Sequence, residues 1–243
     1  MEHNLLILGA SSDLAVALIP KIAGNFQTIF AHYHHSVDKL RELQKSCSCQ
    51  LKLLQSDFTS EEDTKCMVDE VASSGVNVTH ILHCPSARLK NKHFRKLSWD
   101  DYGIMLDTQV RSLYYVTSRF VPQMATYRYG KVVTVLSSVT VGSPPAYMNA
   151  YITAKYGQLG FIKSLAAEYA DKQVQINAVS PSMIDTKFLR NMPRLVVEHN
   201  SANHPLKRNA TVEDIIPVVE FLLSDQSSFI TGQNLLVSGG SVI

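Results

Sequence analysis

Tyr151 and Lys155 stand four residues apart in Tyr151-Ile152-Thr153-Ala154-Lys155, a stretch that opens a long run of helical character. Residues i and i+4 share one face of a helix, so the phenol and the ammonium converge. A free tyrosine has a pKa of ~10. A neighbouring cation favours the phenolate and lowers that value, which gives an acid and a base usable near neutrality. Thirteen residues before Tyr151, Leu136-Ser137-Ser138 closes an apolar run. A Ser138 hydroxyl at a strand end can hold a carbonyl oxygen against Tyr151. Y-x-x-x-K alone recurs by chance on surface helices, and serines often merely cap strand ends. The three groups on one sheet edge point instead to proton transfer at a carbonyl.

The elements that must position them follow from the apolar pattern. Short apolar runs at 5–8, 28–33, 51–55, 79–83, 131–136, 174–179 and 234–237 read as strands. Between them, 14–23, 38–46, 61–74, 151–169 and 212–223 read as helices, and 99–127 is long enough for one or two. Strands apolar on both faces and separated by helices imply a parallel sheet covered on both sides. Right-handed crossovers make it doubly wound. The chain carries no Pro/Gly/Ser linker, composition shift or internal repeat, so residues 1–243 are expected to form a single domain. The least regular stretch, 184–204, follows a late strand and is expected to form a lid over the site.

Ligands of such a sheet sit at the carboxyl ends of its strands. The first turn, Leu8-Gly9-Ala10-Ser11-Ser12-Asp13-Leu14-Ala15, leaves a strand and opens a helix, where N–H groups and the positive dipole end face an anion. Gly9 permits the sharp turn, and Ser11 and Ser12 add hydroxyls. A generic dinucleotide turn carries glycine where Asp13 and Ala15 stand. The Asp13 carboxylate lies close to the expected diphosphate, unless it is a helix N-cap pointing away. After the second strand, Ala31-His32-Tyr33-His34-His35-Ser36 has no acid until Asp38. A site for NAD usually places a carboxylate there for the ribose 2′-hydroxyl, so this stretch favours NADP(H). The bland alternative is three histidines capping a solvated strand end. A metal site finds no Cys or carboxylate at ligand spacing, and none is expected.

Together these motifs resemble the classical short-chain dehydrogenases/reductases over nearly the whole chain, most closely the 3-oxoacyl-carrier-protein reductase branch. Val132-Val133-Thr134-Val135-Leu136-Ser137-Ser138 is similar to the family's strand leading to its catalytic serine. Tyr151 and Lys155 fall on its active-site pair. Asn177 to Thr186 resembles the segment that contacts the nicotinamide end. Pro205-Leu206-Lys207-Arg208 and the run from Ile230 to Gly240 resemble its C-terminal signatures. The resemblance implies a single-domain α/β Rossmann fold with a seven-stranded sheet. It implies Ser138, Tyr151, Lys155 and Gln109 as catalytic residues, Gln109 standing where the family has the Asn that supports its proton relay. It implies cofactor contacts at Gly9, Ser11, Ser12, Leu14, His34, Asp57, Phe58, Pro85, Ser86, Tyr151, Lys155, Pro181, Ile184 and Thr186, with Asp57 near the adenine. The family's N-N-A-G turn reads Cys84-Pro85-Ser86-Ala87 here, and its glycine after the late proline is Ser182.

The implied activity is NADPH-dependent reduction of a 3-oxoacyl thioester, as a small molecule or on a carrier protein. The irregular glycine loop and Gln109 keep open a low-turnover NADP(H)-binding sensor. An acidic carrier would dock on cations such as Arg128, Lys131 and Lys172. A homotetramer or dimer is expected from the family. Composition agrees with a globular chain: 45% hydrophobic, 18% charged and a net charge of +2 leave no basic stripe for nucleic acid. No apolar run approaches the ~18 residues of a membrane span. The N-terminus lacks a basic n-region and a small-residue cleavage site, and Cys47, Cys49, Cys66 and Cys84 read as free thiols. The expected compartment is the cytoplasm.

Overall fold

The computed structural model describes residues 2–243. Seven parallel strands form one sheet in the order β3-β2-β1-β4-β5-β6-β7. They are β1 (Asn4–Leu8), β2 (Thr28–Tyr33), β3 (Gln50–Gln55), β4 (His80–His83), β5 (Gly130–Val135), β6 (Val174–Pro181) and β7 (Asn234–Val237). The helices between them are α1 (Asp13–Ile22), α2 (Asp38–Ser46), α3 (Glu61–Ala72), α4 (Trp99–Leu106), α5 (Ser112–Tyr127), α6 (Asn149–Tyr169), α7 (Arg194–Asn203) and α8 (Val212–Leu223). The strand order reverses between β1 and β4, which places the ligand crevice at the carboxyl ends of those strands.

The sequence of β1, Asn-Leu-Leu-Ile-Leu, explains its central place. Leu5 and Ile7 point to one face, against Leu18 and Ile22 of α1 and Ile215 and Val219 of α8. Leu6 and Leu8 point to the other, against Val68 and Val71 of α3, Phe120 of α5 and Ile162 of α6. Successive side chains of a strand alternate in this way. Burying each such side chain contributes roughly 1.5–3 kcal/mol, so a polar substitution at Leu6 or Ile7 would unseat one helical layer.

Two features depart from expectation. The run 99–127 is one continuous helical path, but its middle, Asp107–Arg111, is a π turn between α4 and α5. The irregular stretch 184–204 contains α7, which Pro193 opens and which buries no residue. A helix without a buried face carries no apolar period to read. Among the described residues no helix is long and apolar enough to cross a membrane.

Candidate active site

Gly9 ends the first strand's turn with φ +71°, where an added Cβ would stand 3.1 Å from the Pro85 nitrogen and 3.2 Å from the Cys84 carbonyl carbon. Only glycine lets the two strand-end turns pass this closely. Ser12 then caps α1, its Oγ accepting the Ala15 N–H at 3.3 Å. Asp13 is therefore not the cap. Its Oδ2 accepts the Lys187 N–H at 2.8 Å, and its Oδ1 lies 3.3 Å from Lys39 Nζ and 4.0 Å from Lys187 Nζ. Burial pushes this carboxyl up, but the Lys187 N–H and the two lysines hold it below the ordinary range. The carboxylate beside the helix start is thus already engaged, and it ties the segment after β6 to α1.

The end of β2 corrects the histidine reading. His32 is buried and does not face solvent with its neighbours. Its Nδ1 accepts the Gly9 N–H at 3.1 Å, its Nε2–H donates to the Ser56 carbonyl at 3.0 Å, and Phe58 stacks on its ring at 4.0 Å. Burial lowers its pKa to about 4, so it stays neutral. His32 is structural, and Phe58 packs the core beside it. His34 and His35 do reach the surface, stacked at 3.5 Å. His34 Nε2 lies 3.5 Å from Asp57 Oδ2, while Asp57 Oδ1 accepts the Thr59 N–H and hydroxyl, each at 2.8 Å. The carboxylate nearest His34 is thus that of Asp57, in the turn after β3.

At the other end, β5 delivers Ser137 and Ser138 beneath the first turns of α6. Ser137 Oγ accepts the Val139 N–H at 3.4 Å and is the hydroxyl that faces the Tyr151 phenol. Ser138 opens the short 3-10 turn Ser138–Thr140 in the same cavity wall. Tyr151 is 7% exposed and Lys155 2%. Lys155 Nζ donates to the Val135 carbonyl at 2.8 Å and to Gln158 Oε1 at 3.0 Å. Its distance to the Tyr151 ring centroid is 5.8 Å. Burial moves the two groups in opposite directions. It pushes the phenol up to about 12, with Ser137 opposing, and pulls the ammonium down to about 7. The expected lowering of Tyr151 by Lys155 is absent here: desolvation outweighs the neighbouring cation.

Gln109 sits in the π turn. Its side-chain Nε2 donates to Met105 Sδ at 3.3 Å and its Oε1 has no partner. The part of Gln109 that meets the site is its backbone carbonyl, which accepts Gln158 Nε2 at 3.0 Å. A π turn breaks the helical hydrogen-bond ladder and frees a carbonyl for such use. Gln158, unremarked in the sequence, lies three residues after Lys155 on its helix face.

Ser137, Ser138, Tyr151 and Lys155 open on one cavity of about 730 Å³. Ser11, Ser12, Asp13 and Leu14 line its α1 end, and Ser86, Pro181, Ile184 and Thr186 its middle. Leu89, Val139, Met148, Phe188 and Met192 form an apolar wall beside Tyr151. Pro85 is buried, packed against Gly9. Of the expected site residues, His34, Asp57 and Phe58 lie at the β2 and β3 ends, and with Gly9, Pro85 and Gln109 they stand outside the cavity's lining.

A sequence model described as enoyl-(acyl carrier protein) reductase, one of the short-chain dehydrogenase/reductases, matches residues 22–241. The chain belongs to the short-chain dehydrogenase/reductase family. It is 26% identical over 245 residues to a 3-oxoacyl-[acyl-carrier-protein] reductase of Staphylococcus epidermidis, covering 99% of each chain. It is 28% identical over 247 residues to an uncharacterized oxidoreductase of Bacillus subtilis, again covering 99% of each. Two solved folds superpose on this dehydrogenase/reductase. A 3-oxoacyl (acyl-carrier-protein) reductase of Agrobacterium tumefaciens with NADP bound gives a TM-score of 0.88 at 21% identity, over 98% of this chain and 93% of that one. A 3-oxoacyl-[acyl-carrier protein] reductase of Brucella melitensis with bound NAD gives 0.86 at 22%, over 98% and 90%. The protein is an oxidoreductase of this family, with relatives named as 3-oxoacyl-carrier-protein reductases.

Proposed function

We propose that this protein is an NADPH-dependent carbonyl reductase that converts a 3-oxoacyl thioester, on a carrier protein or free, to the 3-hydroxy product. One observation carries the reading: Tyr151, Lys155, Ser137, Ser138 and the start of α1 open on a single cavity. A dinucleotide fits that arrangement. The α1 N-terminus offers N–H groups and a positive dipole end to a diphosphate, and the one carboxylate beside it is held by Lys39 and Lys187. Gly9, Ser11, Ser12 and Leu14 would hold the phosphates. Asp57, backed by Phe58, would hold the adenine side and His34 a 2′-phosphate. Pro85, Ser86, Pro181, Ile184 and Thr186 would hold the rest.

When bound, the cofactor supplies a hydride to the carbonyl carbon. Tyr151 gives its phenolic proton to the oxygen; a phenol pushed up to about 12 is protonated at neutral pH, as an acid must be. Ser138 donates to the same oxygen and stabilises its developing charge, while Ser137 steadies the phenol. Lys155 turns its remaining N–H toward the cavity and, when charged, favours the phenolate left behind. The preference for NADPH rests on residues 33–36, which offer two exposed imidazoles and no carboxylate. His34, which stands 3.5 Å from Asp57, is the imidazole that would meet a 2′-phosphate.

The docking candidates change. Lys131 is 1% exposed and its ammonium has no hydrogen-bond partner, so it meets no carrier. Arg128 and Lys172 precede β5 and β6, at the end of the sheet opposite the site. The segment after β4 supplies exposed Arg88, Arg95 and Lys96 on the site's side, next to the cavity residue Leu89, together with Lys90 and Lys92, which pair with Asp101. These suit an acidic carrier. Exposed Trp99 on α4, Tyr114 on α5 and Tyr156 on α6 favour association of copies into a dimer or tetramer. Four free thiols favour a reducing compartment such as the cytoplasm. A low-turnover NADP(H) sensor is the second reading, favoured by the Gln109 side chain lying off the Lys155 network.

Tyr151→Phe tests the assignment. It removes the acid and keeps the ring, so kcat falls on the order of 10²–10⁴-fold with folding nearly unchanged. Activity within threefold of the unsubstituted protein overturns the mechanism.

A further inference from the structure

On the side of Lys155 away from the cavity, buried polar groups form one continuous path. Lys155 Nζ donates to Gln158 Oε1 at 3.0 Å. Gln158 Nε2 donates to the Gln109 carbonyl at 3.0 Å and meets His83 Nδ1 at 3.2 Å. His83 Nε2 meets Ser112 Oγ at 2.9 Å, and Ser112 Oγ donates to the Thr108 carbonyl at 2.6 Å. Gln158, His83 and Ser112 are buried as completely as Lys155.

The direction of every bond is fixed from the far end. A carbonyl only accepts, so the single Ser112 proton goes to Thr108. Ser112 must then accept from His83 Nε2–H, which leaves Nδ1 as an acceptor. Two acceptors, His83 Nδ1 and the Gln109 carbonyl, therefore face the amide nitrogen of Gln158. Its oxygen has one place left, against Lys155. The amide cannot flip without setting donor against donor at Lys155 and acceptor against acceptor at both other contacts.

We propose that Gln158 is a positioning residue for Lys155: its amide oxygen, locked by His83 and the π-turn carbonyl of Gln109, holds the ammonium from the buried side and stabilises its charged form. An ammonium has three donors. Gln158 and the Val135 carbonyl take two, so a single N–H is left for the cavity and its direction is set by the other two. The remaining titratable groups around Lys155 are Tyr151 on its own helix and His83 and Cys84 at the end of β4. Burial keeps His83 well below its ordinary range and pushes the Cys84 thiol up to about 12, so both are uncharged near neutrality. Gln158 is thus the side-chain acceptor that the ammonium finds on its buried side, and its loss is not made up by a neighbouring anion.

The test follows the Lys155 side chain by nitrogen-15 NMR in cofactor-free protein, across pH, for the unsubstituted chain and Gln158→Leu. The expected result is a midpoint lower by about one pH unit in Gln158→Leu, the size of one lost hydrogen bond to a charged group. The alkaline limb of kcat moves with it, while the KM for ketone stays within about threefold. A midpoint unchanged within 0.3 pH unit (about twofold in the proton equilibrium) overturns the proposal, whatever happens to the amount of folded protein. Should Gln158→Leu fail to fold, the unsubstituted protein still decides. The Gln158 side-chain amide resonances should shift with the same midpoint as Lys155 and exchange slowly with solvent. Resonances blind to that titration, or exchanging at the rate of an exposed amide, overturn it equally.

Discussion

Two adjacent serines at the end of β5 meet different surroundings because a chain leaving a strand turns successive side chains different ways. Ser137 faces the phenol and caps the following turn, while Ser138 lies along the cavity. Ser138→Ala is therefore expected to lower kcat by on the order of 10²–10³-fold, as for loss of a donor to a developing oxyanion. Ser137→Ala is expected to cost about tenfold or less. Steady-state kinetics of both variants check this, and the reverse order would give Ser137 the substrate oxygen. Gln109 invites a second comparison. Its side chain rests on Met105, and its backbone does the work toward Gln158. Shortening it by Gln109→Asn should leave kcat within about threefold. A gain above a hundredfold, the scale on which a ~1 Å displacement matters, would mean that the natural residue disables the site. Tyr151, Lys155 and the serine pair were legible in the sequence because their spacing is local. Gln158 and His83 were not, since a strand, two helices and a π turn must come together before they meet.

At the scale of elements, His32 joins three strand ends: it sits at the end of β2, takes a hydrogen bond from the turn after β1 and gives one to the turn after β3. The arrangement works only with a neutral ring. The folded pKa, about 4, lies below the unfolded value near 6.5. As pH falls below 6.5 the unfolded chain gains a proton that the folded one refuses, so stability is lost between 6.5 and 4 and levels off below. The loss from this one ring is on the order of 2–3 kcal/mol at pH 4. Urea unfolding of His32→Gln, whose amide can both donate and accept, should lose that much less stability than the unsubstituted protein between pH 7 and 4. Equal losses would show that the ring titrates normally. The pattern His32-Tyr33-His34-His35 gave no hint that one imidazole turns inward, because strand alternation alone does not say how deep the last residue lies. Elements with strong local marks were read to the residue: 28–33, 38–46, 212–223 and 234–237 agree at both ends. The π turn Asp107–Arg111 and α7 were missed, the first because nothing in its composition marks a widened turn, the second because it buries no residue.

For the whole molecule, an all-parallel sheet with its switch point between β1 and β4 gathers the α1 start, the serine pair and the Tyr151–Lys155 face at one end. The sequence carried this much because buried parallel strands are uniformly apolar and therefore easy to see. It carried less about the surface, where Lys131 proved buried and the basic segment 88–96 lies beside the site instead. On the proposed function, this end of the sheet turns over a ketone with a preference for NADPH. The measurement that tests it most directly is nicotinamide oxidation with a 3-oxoacyl thioester, followed with NADPH and with NADH. The predicted result is turnover with kcat/KM at least roughly tenfold higher for NADPH, or ~1.4 kcal/mol. Cofactor bound without turnover across a series of ketones would contradict it and favour a sensor, and a preference for NADH would contradict the role given to His34.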